Sequence, residues 1–267
     1  MGDQLSTAER SSSRNPTALR TSPVLTVRQL SKRYPGKTLL DHVSFELDRQ
    51  KIYALMGANG AGKTTLLNIL TGFVRPDAGV VLLHGQPIGH LQPHERTRTG
   101  MSRSFQDLRL ITTMTVRDNL LLATGRDPTD AWAKALVAPF FKSGAHLLLS
   151  VIEGLLKEFS LSADTVAGNL SYGQQKLLTV ACAAANGGDL LLLDEPVASV
   201  SAEHVHRITM SLRRLRSQGA TIVLIEHNSD FVRSIADQIL FLSDGHLQHY
   251  TTLDALRADP FARGSYR

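Results

Sequence analysis

Eight residues, Gly57-Ala58-Asn59-Gly60-Ala61-Gly62-Lys63-Thr64, constrain this chain more than any other stretch. The glycines leave backbone N–H groups free to converge on an oxygen-rich anion that side chains would otherwise block. Lys63 offers a compact positive charge to the β- and γ-phosphates of a nucleotide, and the Thr64 hydroxyl can reach a Mg²⁺ ion. Upstream, Ile52-Tyr53-Ala54-Leu55-Met56 is a short apolar run that reads as a buried strand. Downstream, Thr65 to Thr71 reads as a helix with Gly72 just past its end as a C-cap. That helix aims the partial positive charge of its N-terminus at the phosphates. The stretch predicts a nucleoside triphosphate site. It specifies neither the base nor the use made of the energy.

The 267 residues suffice for one large domain or two lobes with a sizeable core. An apolar content of 42% with 20% charged residues is that of an ordinary globular protein. The net charge of +5 is mild, and no basic run is long enough to argue for nucleic acid. The single cysteine, Cys182, lies in an Ala-rich helical stretch, which excludes a disulfide framework and fits a small apolar packing residue. The best candidate for a membrane span, Leu136 to Leu156, is interrupted by Pro139, Lys142, His146 and Glu153.

Residues 1–23 are rich in Ser, Thr and Arg without periodicity and read as a disordered tail. Val24–Val27 and Val43–Leu47 read as strands, and Lys32–Lys37 between them as a turn that carries Tyr34. An aromatic ring on a loop can pack internally or stack on a base. Gly79–Gly85 reads as a further strand ending in a turn. The amide of Gln106, at the start of a loop, can coordinate a metal or orient a water, and equally well be a surface group. Residues 108–168 differ in character. Thr115 is placed to cap a helix, and Ala145, Leu148, Leu149, Ile152, Leu155, Leu156 and Phe159 make an apolar stripe at helical spacing. The block reads as a helical insertion into an α/β core.

Ser171 and Gln174 have the spacing of a capping box at the start of a helix running to about Ala185. This is a helix start, or a second anion site in which Gly173 allows close backbone approach. Leu190-Leu191-Leu192-Leu193-Asp194-Glu195 reads as a central parallel strand ending in two acids. There Asp194 can hold a Mg²⁺ shell and Glu195 can act as general base toward water, unless the pair only caps the next helix. Ser201–Gly219 reads as a helix, and Thr221–Ile225 as a buried strand running into Glu226-His227. A histidine at that position can donate to a γ-phosphate. Gln238–Leu242 and His246–Tyr250 form a hairpin pattern around Ser243-Asp244-Gly245.

Taken in order, Tyr34, Gly57–Thr64, Gln106, Leu170–Gln175, Leu190–Glu195 and His227 resemble the ATP-binding subunits of ABC transporters, over Val24 to Tyr250. They match in turn the adenine-stacking loop, Walker A, the Q-loop, the signature motif, Walker B with its glutamate, and the switch histidine. Ser104-Phe105-Gln106 with Arg109-Leu110, Met114–Leu120, Leu170–Gln175 and Leu224–His227 look more narrowly like an ATPase subunit of branched-chain amino acid importers. Tyr172 is the telling residue, because most ABC signatures carry Gly there. Relatives of that group also handle urea, short amides and other small polar solutes.

The resemblance implies an α/β fold, a P-loop NTPase (RecA-like) core over residues 24–107 and 169–250. To this core belong an N-terminal antiparallel β subdomain, an inserted α-helical subdomain over 108–168 and a C-terminal extension over 251–267. ATP would be held by Tyr34, Gly57, Ala58, Asn59, Gly60, Ala61, Gly62, Lys63, Thr64 and Thr65, with Ser171, Gly173 and Gln174 acting in trans from a second subunit. Mg²⁺ would be held by Thr64, Gln106 and Asp194. Glu195 would polarise the attacking water and His227 would contact the γ-phosphate. The implied partners are a second ATPase subunit, membrane permease subunits and, indirectly, a solute-binding protein, with the chain peripheral on the cytoplasmic face of the cell membrane.

The chain departs from the family pattern in three places: Ser199-Val200-Ser201 replaces the usual Gly-Leu-Asp or Gly-Leu-Asn, Ala183 a common Arg, and Gly188 a common Pro. The first bears on communication across the dimer, and predicts pairing with a different ATPase subunit and two unequal sites. The rival reading is a soluble ABC ATPase without a permease. Such proteins usually carry two cassettes in one chain, whereas this one has a single cradle and a single signature.

Overall fold

The computed structural model describes residues 22–104, 108–125 and 142–263. The tail expected over 1–23 lies almost wholly outside them, as does Gln106.

Strands β1 (Leu25–Tyr34), β2 (Lys37–Leu47), β4 (Ala78–Leu83) and β5 (Gln86–Pro87) build an antiparallel sheet in the order β2-β1-β4-β5. The turn between β1 and β2 is shorter than expected. β1 runs on through Tyr34, which pairs with Lys37, so only Pro35 and Gly36 form the turn. Pro35 ends the ladder because it lacks an N–H, and Gly36 takes the left-handed φ of 77° that closes it.

A second sheet contains β3 (Ile52–Met56), β6 (Met101–Arg103), β7 (Leu190–Asp194), β8 (Thr221–Ile225), β9 (Gln238–Ser243) and β10 (His246–Tyr250). Its order is β10-β9-β3-β8-β7-β6, with every pairing parallel except the β9–β10 hairpin. Every residue of β3, β7 and β8 is buried, which is why these strands read as unbroken apolar runs and not as alternating ones.

Alternation along these strands feeds two cores. Tyr53, Leu55, Leu192, Val223 and Leu240 face α1 (Lys63–Leu70) and the antiparallel sheet. Ala54, Leu191, Leu193, Leu224 and Phe241 face α3 (Val116–Ala123), α4 (Lys142–Phe159), α5 (Tyr172–Ala185) and α6 (Ala202–Ser217). Between α1 and α3 lies the short α2 (Pro93–Arg98). The helix after the cradle and the helix after Ser171 therefore lie on opposite faces of one sheet.

In the helical block, Thr115 caps α3 as expected, its hydroxyl accepting from the Asp118 N–H at 3.1 Å. On α4, Ile152, Leu155 and Phe159 are buried, and Leu148 and Leu156 pack beside them. Leu149 departs from the stripe and is 43% exposed, because it stands at the rim of the apolar arc, about 60° around the helix from Ile152. The chain ends in α7 (Ser229–Ile235), α8 (Leu253–Ala258) and α9 (Pro260–Arg263), with Leu253, Leu256 and Ala262 buried in the second core.

Candidate nucleotide site

The cradle turns from β3 into α1 through left-handed backbone at Gly57, Gly60 and Gly62. Lys63 is buried, and its Nζ donates to the carbonyl oxygens of Gly57 at 2.8 Å and Ala58 at 2.9 Å. Burial lowers the pKa of this ammonium below the ordinary lysine value, and nearby Glu195 and Asp194 oppose that shift. Ala58, Asn59, Gly60 and Thr64 are exposed, while Ala61 and Thr65 are half-buried, so the loop opens to solvent at its rim. Lys37 reaches over from β2 and donates to the Gly60 carbonyl at 3.0 Å.

Tyr34, beside the β1–β2 turn, is 44% exposed. Its hairpin is fixed by Asp77, which accepts from Lys32 Nζ at 2.8 Å and from the Arg33 N–H at 2.6 Å. Those two donors hold the Asp77 carboxyl below its usual range. Lys32 Nζ lies 5.3 Å from the Tyr34 ring centroid.

The carboxyl ends of β7 and β8 supply the acids. Asp194 is buried, which pushes its carboxyl up, while Arg103 at 3.6 Å pulls it down. Arg103 is itself held by Asn68 Oδ1 at 2.6 Å and Thr71 Oγ1 at 3.1 Å, both near the C-terminal end of α1. Glu195 comes next, with φ of 50°, a conformation unusual for a non-glycine residue. Its N–H donates to the Ile225 carbonyl at 3.1 Å, and its own carbonyl accepts from Lys176 Nζ at 3.1 Å. Its Oε1 stands 3.6 Å from His227 Nε2. The fold thus brings Lys63, Asp194, Glu195 and His227 to the carboxyl ends of the adjacent strands β3, β8 and β7.

Thr64 and Asp194 offer hard oxygen donors of the kind Mg²⁺ prefers. Among the described residues no group of three or more His, Cys, Asp or Glu side chains is arranged to hold a metal. Gln106, the third residue expected to hold the ion, lies outside the described residues. His84, in the turn after β4, is engaged structurally, with Nε2 3.2 Å from Asp189 and Nδ1 2.7 Å from Arg49.

At the N-terminus of α5, Ser171 Oγ accepts from the Gln174 N–H at 3.3 Å, and Gln174 Oε1 accepts from the Ser171 N–H at 2.9 Å. Gly173 packs beneath the His204 ring, where a Cβ would stand 2.9 Å from ring atoms. His204 Nδ1 in turn meets Ser201 Oγ at 2.7 Å. Tyr172 is 47% exposed beside this cap. The cap and the cradle, borne by helices on opposite faces of the sheet, do not form one site within a single chain. Replacing Ser171 by Ala removes the cap and is expected to lower stability by about 1 kcal/mol, read from a denaturant titration at unchanged m.

Sequence reasoning gave no role to Arg103, Lys176, Glu226 or Lys37. A lone Arg at the end of a three-residue strand carries no local signal. Only the pairing of Arg103 with Leu192 sets it beside Asp194.

A family profile described as ABC transporter matches residues 40–198. The chain is 34% identical over 242 residues to the high-affinity branched-chain amino acid transport ATP-binding protein BraF of Pseudomonas aeruginosa, covering 89% of this chain and 95% of that protein. It is similar to the same extent, 34% over 242 residues with the same coverage, to LivG of Escherichia coli strain K12, which bears the same description. Among solved structures, the ADP conformation of an ATP-binding cassette of an ABC transporter superposes with a TM-score of 0.75 at 27% identity, covering 91% of this chain and 98% of that one.

Proposed function

Because the chain belongs to the ABC transporter family of ATP-binding proteins, we propose that it is the ATPase subunit of an importer for a small polar solute, a branched-chain or other amino acid. The observation that carries the reading is the separation of two anion-binding ends. The cradle before α1 and the Ser171 cap of α5 are borne by helices on opposite faces of the sheet, and a second subunit supplies the cap to each ATP. Tyr34 then stacks on the adenine, and Gly57–Thr65 with Lys63 hold the triphosphate. Thr64, Gln106 and Asp194 would hold Mg²⁺, which would supply positive charge to neutralise the phosphates. Glu195 takes a proton from the attacking water, and His227 donates to the γ-phosphate.

The second subunit is a different ATPase chain. An acid or amide at position 201 would reach across the dimer, whereas here the Ser201 hydroxyl is engaged by His204 of its own helix. Turnover by the purified chain alone equal to that of the mixed pair would count against this.

Permease subunits dock in the groove between core and helical block. It measures about 550 Å³ and is lined by Phe73, Ile111 and Leu122, which are 52%, 44% and 44% exposed. Among the described residues no helix is long and apolar enough to cross a membrane. The test is uptake of radiolabelled leucine and of urea into proteoliposomes that hold the chain, its partner ATPase and their permeases. ATP-dependent leucine uptake is expected. Phe73→Asp should abolish co-purification with the permease and uptake, and leave ATP affinity of the free chain within about twofold, since it adds a charge only to the docking face. Uptake of neither solute would exclude the amino acid reading.

A further inference from the structure

Glu226 is a buried carboxylate that the nucleotide chemistry above does not use. It sits directly after the last residue of β8. A buried carboxylate is tolerated only where donors converge on it, and here the donors are main-chain groups of two separate loops. The Val197 N–H donates to Oε1 at 3.0 Å. The His227 N–H donates to Oε2 at 3.2 Å, and the Asn228 N–H adds a third contact. Val197 lies two residues beyond Glu195, and His227 is the residue whose ring faces Glu195 at 3.6 Å. One side chain therefore ties the segment after Glu195 to the segment that carries His227.

Among the described residues, few other bonds do this. Glu195 itself joins β8 through its N–H to the Ile225 carbonyl, which sets its backbone beside Glu226, and its own carbonyl accepts from the Ala198 N–H at 3.3 Å, a bond within the turn that does not reach the His227 segment. Its left-handed φ turns the chain sharply at that point, and Pro196 next in sequence offers no N–H. Val197 is thus the first residue after Glu195 whose amide can be held, and Glu226 holds it.

We propose that Glu226 is a positioning residue of the ATPase centre, a carboxylate clamp that sets the spacing of Glu195 and His227. The inference rests on the roles given above to those two residues. A glutamine at 226 keeps the volume but replaces one acceptor oxygen with an NH₂ group, which opposes one of the bound N–H groups. An aspartate keeps both acceptors, one methylene short.

The test uses the full chain assembled with its partner subunits for hydrolysis, and the full chain with ADP for amide hydrogen exchange. Glu226→Gln is expected to lower kcat on the order of 10–100-fold, as a misplacement of about 1 Å does, with KM for ATP within about twofold. Exchange should rise at residues 197–199 and 226–229 and stay unchanged at 57–64. Glu226→Asp should recover part of kcat. In a His227→Ala background the glutamine should cost less than it does alone, because the clamp acts through a residue already removed. Unchanged exchange in Glu226→Gln, a rise in KM at constant kcat, or losses that multiply with His227→Ala would each overturn the proposal. Full turnover by a Glu195→Gln variant would instead fail the reading on which it rests, while the exchange data would still report on the clamp.

Discussion

Replacing Glu195 by glutamine leaves ATP binding intact and lowers hydrolysis by about 10²–10⁴-fold, the range lost when a positioned general base is removed. The amide has the carboxylate's shape, and the backbone bonds of this residue, to Ile225, Lys176 and Ala198, are not touched by the substitution. The loop therefore keeps its conformation, including the φ of 50°. The substitution takes away the ability to accept a proton from water. It also takes away a negative charge at the edge that would receive the γ-phosphate. That charge faces His227 at 3.6 Å and acts on Lys63, so removing it lessens repulsion of the triphosphate. ATP is then held at least as tightly, and the two-subunit state accumulates. Phosphate release at saturating ATP measures the first effect, and size-exclusion chromatography with ATP present measures the second. A variant that keeps more than about a tenth of wild-type turnover would remove Glu195 from the role of base.

Much of this arrangement is legible in the sequence because it is local. The runs Ile52–Met56, Leu190–Asp194 and Thr221–Ile225 each carry their own evidence of burial, and all are fully buried strands. The caps at Thr115 and Ser171 depend on residues three positions apart, and both form. Errors and gaps arise where register decides. Tyr34 extends β1 because Lys37 pairs with it across the turn, which no property of Lys32-Arg33-Tyr34 announces. Arg103 meets Asp194, and Glu226 meets Val197, only once β6, β7 and β8 have found their parallel partners. Leu149 leaves its stripe because it stands at the rim of the apolar arc, about 60° around the helix from Ile152.

The same limit separates glycines that the sequence leaves equivalent. Gly57→Ala is expected to lower ATP affinity at least about 100-fold, near 2.7 kcal/mol, whereas Gly60→Ala costs only the left-handed strain of about 1–2 kcal/mol in stability. Gly60 has φ of 75°, and the nearest atom to an added Cβ is the flexible Lys37 Nζ at 3.7 Å. Gly57 has φ of 146°, and an added Cβ would press into the carbonyl oxygen of Leu242. That oxygen cannot retreat. β9 is locked to β3 on one side, with Met56 opposite Phe241, and to β10 on the other, with Leu242 opposite Leu247. The cradle must move instead, and it would carry away the Gly57 carbonyl that positions Lys63 Nζ. Isothermal titration of both variants with ATP tests the ranking, with circular dichroism confirming that each is folded. Equal affinities would show that the close approach of β9 does not govern the shape of the phosphate loop.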